Sequence, residues 1–418
     1  MKVLIKQARI VHPSSPFNGT INDILVIDGK INRIASSIIE TADQIIEHDN
    51  LHVSIGWIDL FANFADPGNE YRETIESGAT AAASGGFTSV VVIPNTNPVV
   101  SSKTQVEYML QKSSLLPIEI YPLGAISKNA EGKELAEMYD MHTSGALAFS
   151  DGIHSVQNPG VLLKALQYVI AKDATIVQLP DDKSIAPFGL MNEGIISTQL
   201  GLPGRPAIAE ELMIARDIEL LKYTQSKLHI TGVSTQKGMQ LIVNAKKEGL
   251  HITCSVTPYH CFFCEEDLVD YNTHLKVNPP LRKRSDMMAI REALALGQVD
   301  CIASHHTPLH TDEKDCEFEY AKNGMECLES VFGAVNKFAT SLDTLISQLT
   351  ISTRKMIGVD VPSIKEGEVA CLTLFNPSEE YVFDASMIKS TSHNNAFVGQ
   401  HLKGKVVGIL NKNNVVLN

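Results

Sequence analysis

Several features that mark other protein classes are absent from this chain. Its 418 residues contain no Lys/Arg-rich run and carry a formal charge of −13, so the basic footprint of a nucleic-acid-binding protein is missing. No apolar run approaches the roughly 18 residues that a membrane-spanning helix needs. The first six residues resemble a short strand, which differs from a signal peptide. We therefore expect a protein that binds neither nucleic acid nor membrane.

A disulfide framework is also missing. The chain has seven cysteines, an odd number at irregular spacings, which is typical of reduced thiols in the cytoplasm. Cys261 and Cys264 have the spacing of a redox or metal motif, but no βαβ redox pattern surrounds them. We interpret these two residues as buried or incidental thiols and predict a cytoplasmic location.

What the chain does contain is ordinary for a large folded protein. Hydrophobic residues make up 44% of it and charged residues 20%, which is enough apolar material for a sizeable core. The chain lacks low-complexity segments and linkers rich in Pro, Gly or Ser. This length and composition suit one large barrel with a smaller companion domain.

Both ends of the chain are rich in strand patterns. Residues 1–52 contain short alternating runs, and two of these flank the turn dipeptide Asp28-Gly29, a strong hairpin signal. Similar runs occur at residues 369–375, 404–410 and 415–417. We therefore predict one small β-sandwich domain formed by residues 1–52 and 363–418.

The middle of the chain, residues 53–362, alternates short apolar runs with helical patterns. The apolar runs lie at residues 89–93, 118–122, 146–149, 174–177, 227–230, 251–254 and 299–303. Amphipathic helices are predicted at residues 74–84, 159–171, 206–225 and 235–247. Repeated βα units of this number predict an α/β fold, a (β/α)8 TIM-like barrel.

A set of short motifs gives the chain a family resemblance. The motifs are Asp66-Pro67-Gly68, Gly86-Phe87-Thr88, Pro94-Asn95-Thr96, Ser150-Asp151-Gly152, Asn278-Pro279-Pro280-Leu281-Arg282 and His306-Thr307-Pro308. In order and spacing the chain resembles dihydroorotase, a cyclic amide hydrolase of the amidohydrolase superfamily, from about residue 3 to the end. Allantoinase and dihydropyrimidinase share the architecture, but the motifs around Asn95 and Asn278 fit dihydroorotase better.

The resemblance implies a chemistry as well as a fold. In this family one or two zinc ions at the mouth of the barrel polarise a carbonyl and supply hydroxide, while an aspartate on the last strand shuttles the proton. The net reaction interconverts carbamoyl aspartate and dihydroorotate. Such a centre needs neutral imidazoles and carboxylates around the metal.

The positions that match the family's zinc ligands and base hold other residues here. Phe61 and Asn63 stand where the resemblance places the first two histidines, Gln178 the third and Gly232 the fourth. His305 replaces the proton-shuttling aspartate. A benzyl group has no lone pair for a metal, and a neutral amide is a poor zinc ligand. We therefore expect no intact catalytic residue and no bound zinc.

Other matching positions are kept. Asp151 corresponds to the carboxylate that can bridge the metals, and it is the only matching ligand position. Asn95, Asn278 and His306 match substrate-binding positions. Ala65, however, replaces an arginine that would grip the substrate carboxylate. A residual pocket is thus compatible with the sequence.

Three functional interpretations stay open at this stage. Catalytically silent members of the family assemble with aspartate carbamoyltransferase, so the first is a structural or regulatory partner of that enzyme, forming a homodimer as the family commonly does. The second is an active hydrolase with an altered centre around Asp151, His305 and His306. The third is a sensor of a pyrimidine precursor.

The histidine cluster near residue 305 has two possible interpretations, a functional one and a structural one. Several acidic residues are given a structural interpretation alone. His305, His306 and His310 form either a relocated metal site or, as we favour, polar packing in an emptied barrel mouth. The pairs Asp181-Asp182 and Glu210-Glu211 predict a solvated turn and an exposed helical face. Glu326 and Glu329 are expected on a helix after the last barrel strand.

Overall fold

The computed structural model describes all 418 residues. The amino-terminal segment forms five strands: β1 (Lys2–Ile10), β2 (Ile21–Ile27), β3 (Lys30–Ala35), β4 (Gln44–Ile46) and β5 (His52–Ile55). β2 and β3 form the predicted hairpin, and both turn residues, Asp28 and Gly29, have positive φ. This backbone matches the right-handed twist of the flanking strands.

The middle of the chain alternates strands with helices. Ten strands follow in order: β6 (Trp57–Ala62), β7 (Phe87–Val92), β8 (Glu119–Pro122), β9 (Ala148–Phe149), β10 (Thr175–Gln178), β11 (Met191–Asn192), β12 (Gly204–Arg205), β13 (Leu228–Ile230), β14 (Ile252–Val256) and β15 (Cys301–Ile302). Eleven helices lie among and after them: α1 (Ile75–Ser84), α2 (Lys103–Ser113), α3 (Met138–Thr143), α4 (Pro159–Val169), α5 (Ile195–Leu200), α6 (Ile208–Thr224), α7 (Gln236–Lys247), α8 (Pro258–Phe262), α9 (Arg284–Ala295), α10 (Val331–Asn336) and α11 (Leu342–Ile357). Three strands close the chain: β16 (Cys371–Val382), β17 (His401–Asn411) and β18 (Asn414–Leu417).

Eight of these strands make the barrel. β6, β7 and β8 pair in parallel, as do β9, β10, β13, β14 and β15. A parallel bridge between Gly124 and Phe149 joins the two sets on one side. On the other side the backbone N–H of Asn63 donates to the His306 carbonyl at 2.8 Å, and the Asp59 carboxylate accepts from the Ser304 backbone N–H at 2.7 Å. The predicted (β/α)8 barrel is confirmed.

The two ends of the chain share one further sheet, here called the terminal sheet. Its strand order is β18-β17-β16-β5-β1-β2-β3, with β4 paired to β1. Apolar side chains from its two halves, such as Val26 and Leu372, pack in one buried core, which is the predicted β-sandwich. The sheet includes His52–Ile55, while the domain boundaries at residues 52 and 363 stay a prediction.

Local sequence explains where the predicted helices begin. Thr74 caps α1 through its side chain, which accepts from the Ser77 backbone N–H. Asn158 caps α4 just before Pro159, and Thr235 caps α7 by accepting from Gly238. These caps satisfy backbone donors that the first helical turn leaves unpaired.

Apolar side chains fill the inside of the barrel. Leu60, Phe61 and Val91 from β6 and β7 meet Val177 and Ala303 from the other side in one buried cluster. A larger cluster lies between the barrel strands and the surrounding helices. The barrel is therefore a packed core, closed below its mouth.

Three sequence predictions about acidic residues were wrong. Asp181 and Glu210 are buried, at 7% and 0% exposure, because Arg205 pairs with the first and Arg282 with the second. Of Glu326 and Glu329, only Glu329 lies in a helix, a short 3-10 turn over Leu328–Ser330.

None of the helices is long and apolar enough to span a membrane.

Candidate functional site

The sequence-predicted site residues gather at the barrel mouth, the carboxyl-terminal ends of the eight barrel strands with the loops that follow. Phe61 lies on β6 and Gln178 ends β10. Asp151, Gly232 and His305 each come two or three residues after β9, β13 and β15. In a (β/α)8 barrel this is the face at which catalytic residues of enzymes lie.

Phe61 and His305 form a stacked pair in the centre of the mouth. Their ring centroids are 4.4 Å apart with an interplanar angle of 29°. The imidazole Nε2 lies 2.7 Å from the Thr231 hydroxyl. Burial, assisted by the nearby His260 and His229, lowers the pKa of His305 to about 3. A neutral, hydrogen-bonded imidazole of this kind is a weak base at physiological pH.

Gly232 packs directly against the His305 ring of this pair. A Cβ atom at position 232 would lie 2.6 Å from His305 Cε1 and 3.3 Å from Pro279 Cδ. Any side chain at this position, a histidine included, would therefore need His305 to move. The replacement at position 232 and the one at position 305 are coupled by sterics.

The side-chain amides of Gln178 and Asn63 form hydrogen bonds with backbone groups. The amide of Gln178 faces Val156, accepting from its N–H and donating to its carbonyl at 3.4 Å each. Asn63 Oδ1 accepts from the Ala65 backbone N–H at 2.8 Å. Both side chains are buried and order the loops that follow barrel strands.

Asp151 is a buried carboxylate bonded to one residue. It accepts from the Ser127 backbone N–H at 2.9 Å and from the Ser127 hydroxyl at 2.5 Å. Burial raises the pKa of Asp151 to about 6, although both hydrogen bonds act in the opposite direction. The contacts are those of a residue that fixes the loop after β8.

The three substrate-position residues are all engaged within the chain, and Asn278 accepts from Arg205 Nη1 at 2.7 Å. Asn95 Oδ1 accepts from the Ile153 N–H, and its Nδ2 donates to the Asp151 carbonyl. His306 is fully buried: its Nδ1 accepts from the Cys327 N–H, so Nε2 carries the proton, 3.5 Å from Glu73. Burial acts to raise the pKa of Glu73, but hydrogen bonds led by His306 outweigh it and hold that pKa below its usual range.

Asn278 takes part in a different feature, the mouth cavity. This cavity of about 260 Å³ is lined by Phe61, Ile153, His154, Leu179, Asp181, Lys183, Arg205, Tyr259, Asn278, His305, Thr307, Asn323 and Gly324. Asn95 and His306 are not among the lining residues, so the structure does not bring the three together. The sequence analysis missed Arg205 and Lys183, because each is a single basic residue without a recognisable motif around it.

A zinc ion in the family position does not fit these residues. The four positions that the family resemblance assigns to histidines hold a benzyl ring, two engaged amides and a glycine, and Asp151 is the one carboxylate. A structural or catalytic zinc site needs three or four nitrogen, sulfur or carboxylate ligands.

No relocated site replaces it. Nowhere in the chain do three or more His, Cys, Asp or Glu side chains come together in a geometry that could hold a metal. His305 is bonded to Thr231, His306 faces Glu73, and His310 is half exposed beside Asp312. The three histidines of the sequence cluster are thus dispersed among different partners.

The chain is similar to dihydroorotases over its full length. A family profile described as dihydro-orotase-like matches residues 52–238. The dihydroorotase of Syntrophus aciditrophicus is 37% identical, with 100% of this chain and 99% of that protein covered. The dihydroorotase of Acetivibrio thermocellus is 39% identical, with 99% of each covered.

Solved structures agree on the fold. The L-hydantoinase (dihydropyrimidinase) of Arthrobacter aurescens superimposes with a TM-score of 0.85 at 23% identity, covering 100% of this chain and 96% of that one. At such identity the likeness concerns the fold, a barrel with a β-sandwich domain. Full-length identity well above 30% to two dihydroorotases carries the family assignment, and this chain belongs to the dihydroorotase family of the amidohydrolase superfamily.

Proposed function

We propose that this protein serves pyrimidine biosynthesis without zinc-dependent hydrolysis, as a structural or regulatory partner of aspartate carbamoyltransferase. The observation that carries the proposal is the interlocked filling of the barrel mouth. Phe61 stacks on His305, and His305 occupies the space that a side chain at position 232 would need. Restoring one ligand would leave the others missing and would disrupt this packing.

The intact fold supports a non-catalytic role that depends on the shape and surface of the protein. The barrel closes fully, and Trp57 ties it to the terminal sheet by a hydrogen bond from its backbone N–H to Thr373. The identity of the partner rests on the family resemblance, in which catalytically silent members assemble with the transferase. By the same resemblance the protein forms a homodimer.

Co-expression with aspartate carbamoyltransferase from the same organism tests the proposal. The two chains should elute together in size-exclusion chromatography, and the transferase alone should assemble incompletely or respond differently to effectors. A matched control replaces this chain by an active dihydroorotase relative. Transferase that reaches the same size and activity without this chain would overturn the proposal.

The competing candidate is an active dihydroorotase with an altered centre. Full-length identity of 35–39% to curated dihydroorotases favours it, as does the retention of Asp151, Asn95, Asn278 and His306. This candidate requires turnover of carbamoyl aspartate that depends on the one retained ligand position.

Metal content and turnover discriminate the two candidates. The proposal expects no stoichiometric zinc in the purified protein and no dihydroorotate formation after zinc is added. If zinc and turnover are both found, and Asp151→Asn removes the turnover, the active-enzyme candidate is correct. Asn at position 151 is close to isosteric, and a folded variant is verified by its circular dichroism spectrum.

A further inference from the structure

Two neighbouring barrel strands place polar side chains inside the barrel. Ile230 on β13 and Cys254 on β14 belong to the apolar cluster between the strands and the surrounding helices. Successive side chains of a strand point to opposite faces, so His229 on β13 and Thr253 and Ser255 on β14 point into the barrel. The barrel interior therefore has a polar side in addition to its apolar cluster.

These groups belong to one continuous hydrogen-bonded chain of five side chains, here called the relay. The Thr253 hydroxyl lies 2.8 Å from His229 Nδ1, and His229 Nε2 lies 3.0 Å from the Ser255 hydroxyl. The Ser255 and Thr231 hydroxyls are 2.9 Å apart, and the Thr231 hydroxyl lies 2.7 Å from His305 Nε2. Each of the three hydroxyls forms hydrogen bonds only within the relay.

The relay reaches a cavity at each end. Thr253 lines a cavity of about 380 Å³, here called the base cavity, which lies where β13 and β14 begin. His305 lines the mouth cavity at the opposite end of the barrel. The three residues between them are fully buried, with 0% exposure. The relay is thus a polar connection through a core that is otherwise closed.

Every member of the relay is neutral and can both donate and accept. Burial, followed by the charge of Lys246, lowers the pKa of His229 to about 3, and the pKa of His305 is lowered equally far. A neutral imidazole has one N–H donor and one acceptor nitrogen, and a hydroxyl has both functions on one oxygen. All the hydrogen bonds of the relay can therefore point towards the mouth, or all towards the base.

This geometry links the protonation of the two histidines. If His229 Nε2 donates to Ser255, then Ser255 donates to Thr231 and Thr231 to His305, whose Nε2 must be unprotonated. In the opposite direction, His305 Nε2 carries the proton and His229 Nε2 does not. Any other combination leaves either an unpaired buried hydroxyl proton or two oxygens 2.9 Å apart without a proton between them.

We propose that the relay transfers protons between the base cavity and the mouth cavity. In one passage the Thr253 proton moves to His229 Nδ1, and solvent water in the base cavity replaces it. The protons of His229 Nε2, Ser255 and Thr231 each move one hydrogen bond further, and His305 releases its Nδ1 proton to the mouth cavity.

One proton enters and one leaves in this passage, so the relay stays neutral. Rotation of the hydroxyls and return of the two tautomers restore the first state. The proposal goes beyond the assembly role, because it concerns the barrel interior of the free protein and needs no partner.

The tautomers of the two histidines give the first test. In full-length protein labelled with nitrogen-15 in histidine, two-bond correlation spectra at pH 7 show which nitrogen of each ring is protonated. His229→Gln and His305→Gln assign the two rings by loss of their signals. We expect Nε2 to be protonated in one ring and unprotonated in the other. The same state of Nε2 in both rings would overturn the proposal.

Solvent exchange of the His229 ring N–H gives the second test. Although this ring is fully buried, its proton should exchange with water faster than the backbone N–H of the same residue, which exchanges only when the barrel opens. Equal exchange rates of the ring and backbone protons would show that no path reaches the ring.

Hydroxyl deletions locate the path. Thr253→Val combined with Thr231→Val isolates His229 from both cavities and should slow the exchange of its ring proton by about tenfold or more. Each single variant leaves one route open and should slow it less, while serine at both positions should restore it. Circular dichroism verifies that each variant is folded.

Thr175→Val is the matched control. Thr175 lines the same base cavity, but its hydroxyl donates to the Met356 carbonyl at 2.8 Å and lies outside the relay. This variant should leave the exchange of the His229 ring proton unchanged. If the folded double variant exchanges like the unchanged protein, or if Thr175→Val slows exchange as much, the relay does not carry protons.

Discussion

At the scale of single residues, a few side chains at the barrel mouth are packed tightly against one another. Gly232 has φ of +69° and leaves room for the His305 ring, and that ring in turn covers the face of Phe61. A side chain at position 232 meets two separate penalties. One is the left-handed backbone conformation, and the other is the contact with His305.

A double-mutant cycle separates the two penalties. Gly232→Ala should lower the free energy of unfolding by about 2–4 kcal/mol, of which about 1–2 kcal/mol comes from the backbone and the rest from overpacking. In a His305→Ala background the contact is gone, so Gly232→Ala should cost only the backbone part. Urea unfolding of the four proteins measures a coupling energy of about 1 kcal/mol or more.

Gly201 provides the matched control for this cycle. It has a nearly equal φ of +68°, and a Cβ atom there would meet nothing within 4 Å. Gly201→Ala should therefore show the backbone cost alone, with no coupling to His305→Ala. Additive effects of the substitutions at positions 232 and 305 would refute the steric link between them.

At the scale of elements, the segment that follows β15 buries an unusual group of carboxyls. Glu326 is fully buried, and neither of its carboxyl oxygens has a hydrogen-bond partner. Burial, and then the charge of Glu329, raises its pKa well above the ordinary value. An isolated buried carboxylate is costly, so this carboxyl keeps its proton in the folded protein.

This raised pKa has a consequence for stability against pH. The folded protein holds the proton of Glu326 at pH values at which the unfolded chain, near pKa 4.5, has released it. The associated stability is complete below about pH 4.5 and is lost as the pH rises through the folded pKa. Glu326→Gln removes this loss, so at pH 8 the variant should be more stable than the unchanged protein by at least about 1 kcal/mol.

Thermal unfolding at pH 4.5 and pH 8 measures this effect. The two proteins should differ little at the lower pH and diverge at the higher one. Glu47→Gln is the control, because Glu47 is exposed and makes no ion pair. A gain in stability from Glu326→Gln that is the same at both pH values would show that the buried proton is not its cause.

At the scale of the whole molecule, one residue joins the barrel to the terminal sheet. Trp57 begins β6 and is fully buried. Its ring centroid lies 4.7 Å from that of Phe332 and 5.4 Å from that of Phe375. Phe375 belongs to β16 of the terminal sheet, and the Trp57 Nε1–H donates to Ser54 at 2.9 Å. The shared aromatic cluster predicts that both parts unfold together.

Fluorescence offers a direct measure, because Trp57 is the only tryptophan of the chain. In urea, its emission and the far-ultraviolet circular dichroism should change with the same midpoint. Phe375→Leu, which keeps most of the apolar volume, should shift both midpoints to lower urea by the same amount. Separate midpoints for the two signals would show that the terminal sheet and the barrel unfold independently.

Much of this arrangement follows from local sequence patterns. Helix α1 begins after Thr74 and the β2–β3 hairpin turns at Asp28-Gly29, because capping and positive-φ turns depend on a few adjacent residues. The position of Phe61 and Gln178 at the barrel mouth was predicted through the family resemblance. The burial of Glu210 could not be predicted, since it depends on Arg282, 72 residues away.

The sequence by itself determined the family and the barrel with its terminal sheet, since these are set by residue identity and by patterns along the chain. Through the family resemblance it also predicts which ligand positions are replaced. Only the tertiary structure decided what fills the vacated mouth. His305 lies against Phe61 and over Gly232, while Arg205 on β12 and Lys183, between β10 and β11, line one cavity with Phe61 and His305. Such contacts arise from the packing of side chains on different strands, which no local pattern encodes.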